Sequence, residues 1–263
     1  MTRQAVAGQG GGMNTLQDRV AVVTGSSRGI GAAIAEMFAR EGARVVVHGR
    51  DAAALEQVRA RIEEAGGRAL AVTADLTDFA QIEALRERAE AEFGPVDILV
   101  ANAGGNPVRP GPVEQIAEAD WNASVAANLT ATFLTIKAFL PAMVERGRGS
   151  IVTMSSAAAR RPSPMSPIAY AAAKAGIELL TKDVAAQAGP SGVRANCIAP
   201  ETIMTENNER MIPDQIRPGL IDMHPVRRLG TPDDVANAAL YLAADSASWV
   251  SGIVLDVAGG SVL

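Results

Sequence analysis

The segment "YAAAK" sets a tyrosine and a lysine, Tyr170 and Lys174, four residues apart. On a helix that spacing puts both side chains on one face, with Cβ atoms about 5–6 Å apart. A free phenol titrates near ~10, too high for ready proton exchange at neutral pH. An ammonium beside it stabilises the phenolate and is expected to lower that value. Upstream, the apolar run "SIVTMSS" ends in Ser155 and Ser156. A hydroxyl there would hold a substrate oxygen against the phenol, and acid–base help of this kind is worth roughly 10²–10⁴ in rate. A lone tyrosine and lysine at this spacing are usually surface neighbours, so the surrounding elements decide the reading.

A second chemical feature lies near the start. The run "RVAVVTG" opens into "TGSSRGIG", which brings Gly25, Gly29 and Gly31 to the junction between an apolar strand and a helix. Glycines there allow a tight turn, close backbone approach to a pyrophosphate and close packing of helix on strand. The first amides of the helix then face the phosphates. The next strand ends "VVVHGRD". Where a site selective for NAD places a carboxylate on the ribose 2′-hydroxyl, this chain has Gly49 followed by Arg50. A cation there suits a 2′-phosphate, and Arg28 inside the loop adds a second. The expected cofactor is therefore NADP(H), with NAD(H) as the alternative. Asp51 reads as a helix cap and His48 as structural.

These groups must be carried by regular elements spread along the chain. Short apolar runs alternate with helical periodicity from Arg19 onward: "RVAVVTG", "ARVVVHG", "RALAVTAD", "VDILVANAG", "SIVTMSS", "VRANCIAP" and "GIVLDVAGG" read as seven strands. Helices are expected between them, including Asp120 to Val144, Tyr170 to Gln187, and one started by Thr231-Pro232-Asp233-Asp234. Such alternation predicts an α/β, Rossmann-type, doubly wound parallel sheet with helices on both faces. Ser155, Ser156 and the glycine loop then share the carboxyl end of the sheet, where open α/β folds bind ligands. The segment from Glu201 to Gly230 reads as irregular. Its Ile203, Met204, Met211, Ile212 and Met223 suggest a mostly apolar lid.

The 263 residues are 48% hydrophobic but only 3% aromatic, so the core must come from Ala, Val, Ile and Leu. The formal charge of −5 and the lack of a basic run argue against nucleic acid. The single Cys197 rules out an intrachain disulfide and suits a reducing cytoplasm. No cluster has metal-ligand spacing, and no apolar stretch reads as long enough for a membrane span. Residues 1–14, with "GQGGGM", read as a disordered extension, and 15–263 as one catalytic domain.

With these features together, the chain resembles the short-chain dehydrogenase/reductase family over about Leu16 to Gly260. "TGSSRGIG" is similar to its TGxxxGxG loop, "ANAG" to its NAG segment and "YAAAK" to its YxxxK, and the region from "RRLGTPDDVANAALYLAADSASWVSGIVLDVAGG" to its C-terminal part. The resemblance implies a seven-stranded sheet in the order 3-2-1-4-5-6-7. It implies Tyr170 as general acid/base, with Lys174 holding the nicotinamide ribose and tuning it. Ser156 would orient the carbonyl, with Ser155 the competing candidate, and Asn128 would bind a relay water. The implied cofactor contacts are Gly25, Ser27, Arg28, Gly29, Ile30, Gly31, Arg50, Asp75, Leu76, Asn102, Ala103, Gly104, Tyr170, Lys174, Pro200, Ile203 and Thr205.

The family commonly has Pro-Gly after the sixth strand, whereas this chain has Pro200-Glu201. The expected activity is hydride transfer between NADP(H) and a ketone or secondary alcohol, free or carrier-bound, closest to the 3-oxoacyl reductases. The alternatives are an NAD-dependent alcohol, sugar or steroid dehydrogenase and, in another class, a dinucleotide-binding regulator without turnover. Arg160 and Arg161 would draw acidic substrates or sit solvated. A homotetramer is implied, with Leu179, Leu180 and Val184 on the catalytic helix as its modest support.

Overall fold

Each strand of this chain must satisfy two helical layers, and its residues alternate accordingly. Val23, Val45 and Val47 enter one core, while Val22 and Val46 enter the other. That two-sided burial is why the strands read as near-continuous apolar runs. The computed structural model describes residues 15–106, 108–162 and 166–262; the expected disordered extension, residues 1–14, lies outside them.

The chain runs β1 (Val20–Val23), α1 (Gly29–Arg40), β2 (Arg44–Gly49), α2 (Ala52–Glu64), β3 (Arg68–Thr73), α3 (Phe79–Phe93) and β4 (Ile98–Ala101). Next come α4 (Glu118–Val125), a π turn (Ala126–Thr130), α5 (Ala131–Glu145), β5 (Gly149–Met154) and α6 (Ile168–Ala188). The last part holds β6 (Val193–Pro200), α7 (Glu206–Met211), α8 (Arg217–Asp222), α9 (Pro232–Ala243) and β7 (Val254–Val257). The sheet is parallel throughout, in the order β3-β2-β1-β4-β5-β6-β7. The order reverses between β1 and β4, and the ligand crevice of such a sheet opens at the carboxyl end of that pair.

One core packs α1, α2 and α9 on the sheet through Ile34, Phe38, Leu55, Val235 and Leu242. Small residues, Ala35 and Ala39 on α1 with Ala236 and Ala239 on α9, let those helices lie close. The other packs α3, α5 and α6 through Ile82, Leu85, Phe139, Met143 and Val184. Helix starts follow the expected caps: Asp51 accepts from the Ala54 amide at 3.1 Å, and Thr231 and Asp234 form a capping box on α9.

Three expectations are corrected. The Glu201–Gly230 segment is not irregular throughout, because it contains α7 and α8. Thr205 caps α7, accepting from the Asn208 amide at 3.3 Å, with Glu206 in the first turn. Nor is the lid apolar toward the cleft, since Met211 and Met223 point outward, 69% and 55% exposed. Finally, the helical run from Glu118 to Glu145 contains an 18-residue window of mean hydropathy 1.4, long and apolar enough by length and composition to cross a membrane. Asp120 and Lys137 interrupt its apolar run, which hid this in the sequence. Its Ile136, Phe139 and Met143 are buried against the sheet, as in the core helix of a globular fold.

Candidate active site

The carboxyl ends of the strands carry two clefts that meet at Gly25, Arg28, Gly104 and Gly105. The larger, about 760 Å³, is lined by the β1–α1 loop, the end of β2 and Asp75, Leu76 and Thr77. The smaller, about 380 Å³, holds Ser156, Tyr170 and Lys174 and is bounded by Pro200–Ile203 and Thr205. Another cleft, about 520 Å³ around Arg19, Asp97 and Trp249, lies at the opposite end of the strands, away from this chemistry.

The glycine loop is built for a ligand's backbone approach. Gly25 has φ +65°, and a Cβ on Gly31 would come within 2.3 Å of the Gly25 carbonyl oxygen. Gly31 thus serves the loop's own folding, where the sequence suggested helix–strand packing. Buried Ser26 accepts from the His48 amide at 2.9 Å and donates to the Val23 carbonyl at 2.7 Å. Asn102 donates to the carbonyls of Thr24 (2.9 Å) and Gly25 (3.1 Å), binding β4 to the loop. The Ala103 amide donates to the Thr24 hydroxyl at 3.0 Å. Unlike α2, α3 and α9, α1 begins without a side-chain cap, and its first turn carries no acid. Its free amides and partial positive charge face the cleft beside Gly29 and Ile30, as a pyrophosphate requires. The residues present therefore fit a dinucleotide.

At the adenosine end, Ser27, Arg28, Gly49, Arg50, Asp75 and Leu76 line one wall. Arg28 is paired with Asp51 at 2.9 Å, both half exposed. Asp75 accepts from the Thr77 amide (2.9 Å) and hydroxyl (2.7 Å), which hold its carboxyl below the usual range, with the Arg50 charge helping. His48 is more than filler: Nδ1 accepts from the Gly25 amide at 3.3 Å and Nε2 lies 3.1 Å from the Ala74 carbonyl. Burial lowers its pKa and keeps the ring neutral, which the acceptor role requires.

At the other end, α6 places Tyr170 and Lys174 on one face, the ammonium 5.5 Å from the phenol ring centre. The Ser156 hydroxyl is Tyr170's hydrogen-bond partner. It also accepts from the Ala158 amide at 3.2 Å, which fixes it. Ser155 points elsewhere, donating toward the Lys174 carbonyl (3.1 Å) and the Glu178 carboxylate (2.9 Å). Lys174 is buried and donates to the Met154 carbonyl at 2.8 Å; burial pulls its pKa down to about 8.

The Tyr170 phenol differs from expectation. Burial raises its pKa, the Ser156 hydrogen bond opposes the rise, and the Glu201 charge adds to it. Desolvation of the phenolate outweighs the Ser156 hydrogen bond, so in the protein alone the phenol is neutral, with its pKa above the ordinary value.

The π turn brings Asn128 beneath this pair, fully buried. Its Nδ2 donates to the Ser124 and Gly105 carbonyls, both at 2.8 Å, and its Oδ1 accepts from the Gly105 amide at 3.2 Å. Asn128 therefore staples the loop after β4. A Cβ on Gly104 would lie 2.7 Å from Asn128 Oδ1 and 3.3 Å from Lys174 Nζ, so glycine there keeps a gap between them. Thr205 comes against the glycine loop, its methyl 3.2 Å from where a Gly29 Cβ would be, but its hydroxyl is committed to capping α7. Arg160, expected either to draw acidic substrates or to sit solvated, is instead spent on Glu178 (2.9 Å) and Asp256 (3.1 Å). Nothing in the local sequence pattern joins those residues, and the site thereby gains a brace that spacing could not reveal.

A family model described as Enoyl-(Acyl carrier protein) reductase matches residues 25–261. Glucose 1-dehydrogenase 2 of Bacillus subtilis is 37% identical over 250 residues, covering 94% of this chain and 96% of the relative. A structure of 7 alpha-hydroxysteroid dehydrogenase complexed with NADH and 7-oxo glycochenodeoxycholic acid superposes with a TM-score of 0.89 at 38% identity, covering 94% of this chain and 96% of that one. A 3-oxoacyl-[acyl-carrier protein] reductase with bound NAD from Brucella melitensis gives a TM-score of 0.88 at 34% identity, covering 100% and 98%.

Proposed function

Because the chain belongs to the short-chain dehydrogenase/reductase family, we propose that it transfers a hydride between a nicotinamide dinucleotide and a ketone or secondary alcohol. The observation that carries this reading is the convergence of Ser156, Tyr170 and Lys174 on one cleft beside a glycine cradle. The nicotinamide, when bound, supplies or accepts the hydride. Ser156 holds the substrate oxygen, and Tyr170 gives that oxygen its proton on reduction, becoming the phenolate, and in the phenolate form takes the alcohol's proton on oxidation. Lys174 stands behind the phenol and offers its ammonium to the ribose. Asn128 keeps the loop in place, and the gap beside Gly104 accommodates a water that links Lys174 outward.

NADP(H) is the proposed preference. Arg50 is exposed in the adenosine cleft, and Arg28 at the same rim is held only by a solvent-exposed ion pair. The NADH and NAD in the two similar structures support NAD(H) as the alternative. For the substrate, the Brucella neighbour's name supports a 3-oxoacyl ketone and the other two relatives' names support steroid or sugar alcohols. The polar wall of the smaller cleft, with Glu201, Thr202, Glu206 and Asn207, favours the alcohols. We also propose a homotetramer in the cytoplasm. Of the expected contact residues, Val184 is buried in the chain's own core and Leu180 packs against it, which leaves Leu179 exposed, joined by Phe133 on α5. Light scattering on the purified protein tests the assembly. For the activity, ketones and secondary alcohols are screened with both reduced and oxidised cofactors at the nicotinamide absorbance band. Turnover lost in Tyr170→Phe is expected; no turnover with any pair contradicts the reading.

A further inference from the structure

Glu201 stands where the family resemblance leads one to expect glycine, at the mouth of the catalytic cleft. Its amide donates to the Val257 carbonyl at 3.2 Å, which fixes the residue at the end of β6. Its Oε1 accepts from the Thr202 hydroxyl at 3.1 Å. Among the described residues no cation pairs with it. Arg160 is committed to Glu178 and Asp256, Arg228 to Asp234 at 2.6 and 2.7 Å, and Lys174 to the Met154 carbonyl. The half-buried carboxylate lines the same cleft as Ser156 and Tyr170, with Glu206 and Asn207 of α7 beside it. It also lines an adjoining cleft of about 250 Å³ between His224, Arg228 and the end of β7. An ionised carboxylate is acceptor-only, and among the described residues none donates to the second oxygen of Glu201.

We propose that Glu201 determines substrate specificity. Its outward oxygen accepts a hydrogen bond from a hydroxyl or ammonium next to the reacting carbon, and its charge turns away substrates that carry a carboxylate or other anion there. The inference rests on the hydride-transfer reading above and narrows it to donor-bearing alcohols, diols or amino alcohols. A charge-assisted hydrogen bond is about twice as strong as a neutral one, while a buried like charge repels, so one residue supplies both attraction and exclusion. The same charge reaches Tyr170 and raises its pKa, which a substrate ammonium would offset.

The test uses secondary alcohols of one carbon skeleton that differ only at the adjacent carbon: a hydroxyl, an ammonium or a carboxylate. Turnover with NADP is measured alongside calorimetric binding to the NADP-loaded protein. The diol and amino alcohol are expected to exceed the hydroxy acid in kcat/KM by about tenfold or more. Glu201→Gln should reduce the amino alcohol's advantage over the diol through KM, and move the pH dependence of kcat for the diol to lower pH. Glu201→Lys should favour the hydroxy acid. Equal kcat/KM for the three in the native protein, or ratios unchanged in Glu201→Gln, overturns the assignment while leaving hydride transfer intact. Binding that follows the expected order without turnover upholds the role of Glu201 and contradicts the hydride-transfer reading instead.

Discussion

The Lys174 ammonium donates to the Met154 carbonyl at 2.8 Å, joining the catalytic helix to the last residue of β5. The charge is thereby held in a dry place, and burial brings its pKa from the ordinary lysine range to about 8. The consequence for stability has a definite sign. Above about pH 8 the native protein releases this proton, while the unfolded chain keeps it until roughly pH 10.4. Between those limits the unfolded state binds more protons, so rising pH favours the native state through this group. Urea denaturation of the native protein and of Lys174→Met at pH 7 and pH 9 checks it. The stability difference should shift toward the native protein at the higher pH, and a flat difference contradicts a depressed lysine.

Much of this arrangement was legible in the sequence. The strand–helix alternation gives the parallel sheet, and the resemblance gives the observed strand order. Asp51 and Thr231 announced their helices through local chemistry, because a cap acts within three residues. What escaped depends on distance in the chain or on burial. The Arg160–Asp256 contact spans 96 residues. The His48 bond to the Gly25 amide needs β2 folded against the loop. Tyr170 and Lys174 spacing suggested a lowered phenol pKa, but spacing says nothing of desolvation, which decides the direction.

The two adjacent serines should separate cleanly. Ser156→Ala removes the hydroxyl that meets Tyr170 and should lower kcat by roughly tenfold to a hundredfold with little loss of stability. Ser155→Ala leaves the buried Glu178 carboxylate short of a donor and should cost about 1–3 kcal/mol of stability. Steady-state kinetics and denaturant melts on both variants distinguish the roles. The reverse pattern would make Ser155 the substrate-facing hydroxyl.

Gly31→Ala places a methyl 2.3 Å from the Gly25 carbonyl oxygen, so the loop must move. The expected cost is about 1–3 kcal/mol of overpacking strain. Because the displaced atoms form the phosphate cradle, cofactor affinity should fall more than stability predicts. Fluorescence titration with NADPH alongside a thermal melt measures both. Unchanged affinity in a folded variant would place the dinucleotide elsewhere.

Arg50 is the exposed cation at the end of β2. Arg50→Asp should weaken NADPH binding by about tenfold or more while sparing NADH, because a carboxylate repels the 2′-phosphate and accepts from a 2′-hydroxyl. Dissociation constants for both cofactors in the native protein and the variant provide the comparison. Equal losses for the two would remove Arg50 from cofactor selection.

The account stands or falls with the proton that Tyr170 delivers. On a substrate the native protein reduces, single-turnover hydride transfer is followed by the loss of nicotinamide absorbance in the native protein and in Tyr170→Phe, with cofactor binding measured in parallel. The variant is expected to bind cofactor as the native protein does and to transfer hydride about 10²–10⁴ times more slowly. Native-rate transfer from the phenylalanine variant would contradict it.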